Sequence, residues 1–411
     1  MTTIPSWHVR VASRREVLRY GLGALGTLIA GSAGIGCGDS SDAPVVPTQT
    51  SNIPNLGPLG EPDENGLRLP AGFTGRVLAT AGEAPVASSA YLWHPSPDGG
   101  ATFPTDDGGW VYVSNSEWLN LPPYTAGVGA LRFDAAANVV DAYSILSGTL
   151  LNCAGGPTPW GTWLSCEEHP QGQVWECDPL GREPAVARPA LGVFQHEAVT
   201  VDPVRHQLYL TEDVPDGRLY RFTPDRLTNR GYADLSSGKL EVARVVDGET
   251  GSVTWHLIAD SSAASTPTRY QVAESTPFAG GEGIWYHGGI VYATTKGDNR
   301  VWAYDVVQQS IRIFYDDNMF PTPILSGVDN IVGSADGDIL VAEDGGDMQI
   351  VALTPGGDVI PVVQVVGHRM SEIAGPAFDP TGQRLYFSSQ RGVRGSALQG
   401  ITYEVSGPFF T

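Results

Sequence analysis

Six short apolar runs, each ending in a polar or charged cluster, recur along the chain at 110–115, 162–167, 207–212, 290–295, 339–343 and 384–389. Aligned on Tyr112, Leu164, Tyr209, Tyr292, Leu340 and Tyr386, they are separated by 52, 45, 83, 48 and 46 residues. A unit of roughly 40 to 50 residues holding several alternating strands cannot bury its apolar face alone. Copies of it must stack around an axis, which is the signature of a β-propeller. The content of 51 Gly and 31 Pro agrees, because such frequent backbone punctuation favours short strands and turns over long helices. The sequence therefore predicts an all-β, six-bladed β-propeller over residues 59–411, with the long step explained by an insertion within 223–277.

Most runs are preceded by a second recurring element, a strand that starts with a thiol or carboxylate: Cys153, Glu197, Glu282, Asp329 and Glu372. From Cys153 to Glu168 and from Glu197 to Glu212 is 15 residues; from Glu282 to Lys296 and from Asp329 to Glu343 is 14. Two antiparallel strands joined by a turn bring the start of the first beside the end of the second. In a propeller the first strand of each blade lines the axis, so these ends converge at one mouth. Carboxylates crowded there repel one another and lose hydration, and need protons or cations to coexist. Oxygen-rich clusters suit calcium, magnesium, manganese or ferric iron, and a thiolate among them points to a transition ion.

The balance of 24 Lys+Arg against 45 Asp+Glu, a net charge of −21 with Lys239 and Lys296 as the sole lysines, excludes a nucleic-acid surface. At the N-terminus, Ser13-Arg-Arg-Glu-Val-Leu18 precedes an uncharged stretch too short and Gly-rich for a secure membrane span. Residues 1–36 read as a twin-arginine signal peptide, recognised by the twin-arginine export machinery and directing the chain to the periplasm or the extracellular space. Cys37 follows as a candidate lipid anchor, and 37–58, rich in Ser, Pro and Thr, read as a flexible tether. Besides Cys37 the chain holds Cys153, Cys166 and Cys177. One of the three must be a free thiol or a ligand if Cys37 is lipidated, and Cys166 and Cys177 are candidates to pair.

The segment Asn152-Cys-Ala-Gly-Gly-Pro-Thr-Pro-Trp-Gly-Thr-Trp-Leu-Ser-Cys-Glu-Glu168 resembles the PhoX-type alkaline phosphatases. So do Val113-Ser-Asn-Ser-Glu-Trp118, His196-Glu-Ala-Val199, Asp216-Gly-Arg-Leu-Tyr-Arg-Phe222, Phe278-Ala-Gly-Gly-Glu-Gly283 and Ser371-Glu-Ile-Ala-Gly-Pro-Ala-Phe378. The resemblance implies a twin-arginine-exported, six-bladed phosphoesterase with ferric iron and calcium as cofactors and a phosphate ester as substrate. It implies Cys153 as a thiolate ligand to iron and Glu168, Glu197 and Glu282 as carboxylate ligands, these four forming the catalytic set. Glu117, Glu212, Asp213, Asp329, Glu343 and Asp344 are further metal candidates; Trp160 and Trp163 read as core. The chain departs from the family at Gly280, where an anion-holding Arg is common, and at Ser116, where His is frequent. Arg391 and Lys296, at strand ends, are the candidates to replace the arginine, and Asn115 is a further substrate-binding candidate. The competing readings are a calcium-dependent lactonase-like hydrolase and a non-catalytic, metal-stabilised envelope propeller.

Overall fold

The computed structural model describes residues 50–246 and 248–411; the expected signal peptide, Cys37 and most of the expected tether lie outside them. The described residues form an all-β propeller, interrupted by five single-turn 3₁₀ helices. Six inner strands close a ring around the axis: Pro97–Pro104, Asn152–Pro157, His196–Asp202, Gly281–His287, Val328–Gly333 and Ile373–Phe378, each packed on the next and the last on the first. Three antiparallel strands extend outward from each, forming the units called blades 1 to 6 below.

Hydrogen bonding divides these strands into five sheets rather than the six separate ones expected. The cause is Gly251–Leu257, a fifth strand on blade 3 that also pairs with Ser310–Asp316, the outer strand of blade 4, through Gly251↔Ile311 and Ser252↔Ser310. The two blades thus share one nine-stranded sheet. This strand falls in the 223–277 segment that the sequence marks as an insertion.

The chain closes the ring with its N-terminal part. Thr74–Thr80 supplies the outer strand of blade 6, and Leu67–Arg68 adds an edge to blade 5. Within 50–58, the end of the expected tether, Ile53 is fully buried and Ser51 bridges Phe410.

Apolar side chains fill six clusters, one between each pair of neighbouring blades. The aligned positions of the repeat supply them: Leu164 lies between blades 2 and 3, Tyr209 between 3 and 4, Tyr292 between 4 and 5, Leu340 between 5 and 6, and Tyr112 and Tyr386 between 6 and 1. That is why the repeat is visible: every blade offers both faces to neighbours, so its strands are apolar on both sides and end abruptly where the mouth begins. Cys166 and Cys177 do not pair. They sit on adjacent strands but face opposite sides of blade 2, each in a different cluster, and both are buried thiols with no disulfide among the described residues.

Candidate metal centre

Each inner strand delivers one donor to the axis. Asp98, Cys153, Glu197, Glu282 and Asp329 are the second residues of their strands, and Glu372 immediately precedes its own. In blades 1 to 5 the register with the neighbouring strand shifts across the donor, between Pro97 and Gly100, Asn152 and Gly155, His196 and Val199, Gly281 and Ile284, and Val328 and Ile331. Such bulges bend a strand and re-aim a side chain, here turning a carboxylate or thiol off the blade face toward the axis. Small residues allow the close approach: a Cβ on Gly283 would lie 2.6 Å from Ile331 N, and one on Gly375, at φ +62°, 2.5 Å from Asp98 O.

A second, outer set of side chains follows the ends of the second strands: Glu117, Glu168, Asp213, Lys296 and Asp344 directly after them and Arg391 one residue further. The two sets merge into four donor triads, Asp98–Glu117–Cys153, Cys153–Glu168–Glu197, Glu197–Glu282–Asp329 and Asp329–Asp344–Glu372. Within each triad the ligand atoms lie within 4.8 Å of one another, and Cys153, Glu197 and Asp329 are shared between neighbours.

Ordinary protein partners do not neutralise this arc. Burial, then the charges of Glu282 and Glu168, raise Glu197 well above the usual carboxylate range. Burial dominates likewise for Asp98, Glu282 and Glu372, and it lifts Asp329 to about 7 and Glu168 to about 8. Burial and Asp98 raise the Cys153 thiol, which donates from Sγ to Glu197 Oε1 at 3.3 Å. The cations are peripheral: Lys296 Nζ lies 2.7 Å from Glu282 Oε1 and 2.8 Å from Asp213 Oδ2, while Arg391 Nη2 meets Glu372 Oε2 at 2.5 Å and Asp344 Oδ1 at 3.4 Å. Glu197 Oε2, wholly buried where two triads meet, has no hydrogen-bond partner among the described residues. An orphaned carboxylate oxygen costs several kcal/mol unless a proton or cation faces it, so the residues present fit metal ions.

The family model described as alkaline phosphatase PhoX matches residues 125–177 and 169–312. The structure of Pseudomonas fluorescens PhoX in complex with vanadate, a transition state analogue, superposes with a TM-score of 0.69 at 17% identity, covering 86% of this chain and 97% of that one. The chain is similar to the PhoX family over these residues and shares the fold of that structure. A gluconolactonase from Xanthomonas campestris, at 13% identity over 86% of this chain and 98% of its own, reaches a TM-score of 0.46, too low to carry an argument. No curated protein matches the chain.

Against this arc, the sequence-derived candidates divide. The triads bring together Cys153, Glu168, Glu197, Glu282, Glu117, Asp329 and Asp344; Asp213, Lys296 and Arg391 reach the same mouth through ion pairs. Three candidates are corrected. Glu212 turns away, accepting from Tyr220 Oη and Arg269 Nη1, both at 2.9 Å. Glu343 accepts three backbone N–H groups, from Ser326, Asp347 and Gln349. Both are the last residues of their strands, and successive strand residues face opposite sides, so the donor is the next position. Asn115 is committed to the fold: Nδ2 donates to the Cys153 and Ala154 carbonyls, and Oδ1 accepts from Trp163 Nε1 and Ser165 Oγ. It holds the Cys153 backbone and leaves nothing for a substrate.

The sequence reading missed Asp98 and Gln390 and named Glu372 only as a strand start. Asp98 opens Asp-Gly-Gly within its inner strand, but it stands 19 residues before Glu117 and so falls outside the 14- and 15-residue spacing. Gln390 carries no charge and gives no signal.

Proposed function

We propose that this PhoX-like chain is a metal-dependent phosphoesterase whose four triads hold a multinuclear iron and calcium centre, iron at the Cys153 thiolate and calcium at the carboxylate oxygens. The observation that carries the reading is the shared-corner arc of donors, one thiol among carboxylates, flanked at its rim by two cations. Bound there, metal ions supply Lewis acidity to phosphoryl oxygens and activate water. The chain's own part is to place that charge and to clamp the substrate. Arg391 spends only Nη2 on carboxylates among the described residues, leaving Nε and Nη1 to donate to phosphate oxygens as charge builds there.

Lys296 supports this reading from blade 4. A Cβ on Gly280, at φ +66°, would come within 3.3 Å of Lys296 Cγ and 3.1 Å of Asp213 Oδ1. The lysine therefore already occupies the space over the position where the family commonly has an arginine. Burial works against its charge, yet Glu282 and Asp213 outweigh burial and hold the ammonium protonated. With two of its three donors on those carboxylates, one remains for the phosphate.

The export reading, residues 1–36 as signal and Cys37 as anchor, belongs to the same proposal and rests on the sequence alone. The test is side-by-side turnover of an aryl phosphomonoester and an aldonolactone by metal-replete protein, with orthovanadate added. Phosphomonoester hydrolysis inhibited by vanadate supports the reading. Lactone turnover without phosphatase activity moves the lactonase-like reading ahead, and metal binding with neither activity moves the scaffold ahead.

A further inference from the structure

At the end of blade 6's second strand, where other blades place an acid or a cation, stands an amide. Gln390 is 1% exposed, and its backbone N–H donates to the Glu372 carbonyl at 3.1 Å. Its Nε2 donates to Asp98 Oδ2 and, at 2.8 Å, to Glu117 Oε2. Those carboxylates and the Cys153 thiol make up the first triad. The amide nitrogen thus stands where the charge of two acids converges, in a place suited to a cation. Its Oε1 takes no hydrogen bond among the described residues. One triad further, joined through the Cys153–Glu197 contact, Glu197 Oε2, which has no hydrogen-bond partner among the described residues, marks the same arc as short of positive charge.

We propose that Gln390 is a ligand to a calcium ion held by Asp98 and Glu117, the shared Cys153 thiolate serving the neighbouring iron of the second triad, a role that rests on the metal-dependent reading above. The two ends of a side-chain amide have nearly the same shape. A half-turn about the last torsion swaps the donor that bridges the acids in the metal-free state for a carbonyl oxygen aimed at the ion. A neutral hard oxygen beside two carboxylates is a donor set that suits calcium. Blade 6 then contributes to both ends of the arc, through Gln390 to the first triad and Glu372 to the last.

The alternative use of Gln390, as an N–H donor that merely orients Asp98 and Glu117 beside the ion, predicts the opposite response to a carboxylate at the same position. The full chain, stripped with chelator, and its Gln390→Leu and Gln390→Glu variants are titrated calorimetrically with calcium chloride, with unfolding temperatures recorded before and after. Loss of the oxygen in Gln390→Leu weakens calcium binding by about 10-fold or more. Gln390→Glu keeps or tightens it and gains a larger thermal upshift with calcium, because the added charge destabilises only the metal-free protein. Calcium affinity that falls in Gln390→Glu as far as in Gln390→Leu overturns the ligand role, as does an unchanged affinity in Gln390→Leu. Should Gln390→Leu not fold, the sign of the Gln390→Glu effect decides alone. A parent chain that takes up no calcium overturns the metal-centre reading itself, and the ligand role with it.

Discussion

Removing metal from the purified protein should make its stability depend on protons in a defined direction. In the unfolded chain Glu168 and Asp329 release their protons near their ordinary values of 4.5 and 3.8; in the metal-free fold, burial holds them to about 8 and about 7. Between pH 4.5 and 8 the native state therefore binds more protons than the unfolded chain, and stability falls as pH rises through that window. Each pH unit is worth about 1.4 kcal/mol per group, so Glu168 alone sets a ceiling of about 5 kcal/mol and Asp329 a similar one of about 4 kcal/mol. The two belong to one coupled arc and do not add. Taking the arc as a single such group, the change from pH 5 to 8.5 is about 4 kcal/mol, or on the order of 5 °C in unfolding temperature for a domain of this size. Differential scanning calorimetry in non-chelating buffers reads this directly. Metal-replete protein, its carboxylates ionised and bound, should show no such fall. A metal-free unfolding temperature that stays flat or rises over this range, or an equal fall in metal-replete protein, would refute the reasoning.

Three further outcomes are expected. Arg391→Ala and Lys296→Met should each lower kcat/KM for an aryl phosphomonoester by about 100-fold while elemental analysis shows unchanged metal content; an unaltered rate in both would show that the anion clamp lies elsewhere. Cys153→Ser should weaken iron retention at least about 10-fold while calcium remains at the Glu282–Asp329 side, so parallel loss of both metals, or of neither, would contradict the assignment of the thiolate. Arg269→Met leaves Glu212 buried without its cation and should cost about 3 kcal/mol in denaturant unfolding with metal content intact, since Glu212 is outside the arc.

The sequence carried most of the architecture because a propeller writes its geometry into period. The aligned Tyr and Leu positions repeat since each fills the same wedge between blades. What escaped was pairing at the outer edge: nothing in Gly251–Leu257 says that this strand will hydrogen-bond to Ser310–Asp316 and fuse two blades. At the mouth, the 14- and 15-residue spacings pointed to Cys153, Glu168, Glu197, Glu282 and Asp329, which the fold brings together, because strand start and strand end are coupled by one hairpin. They mis-assigned Glu212 and Glu343 because a single-residue offset reverses which way a strand side chain points, and the bulges that set the offset are invisible in composition. Asn115 looked like a substrate ligand since an exposed and a fully satisfied amide are written with the same letter. Gln390 could not be found by searching for charge, although it bridges two of the acids that matter.

The measurement closest to the central claim is the rate of phosphomonoester hydrolysis by the purified full chain before chelation, after chelation, and after iron and calcium are returned. The account predicts turnover that disappears on chelation and comes back only with both metals. Protein that retains its iron and calcium but hydrolyses no phosphate ester, or that turns over equally well without them, would contradict it.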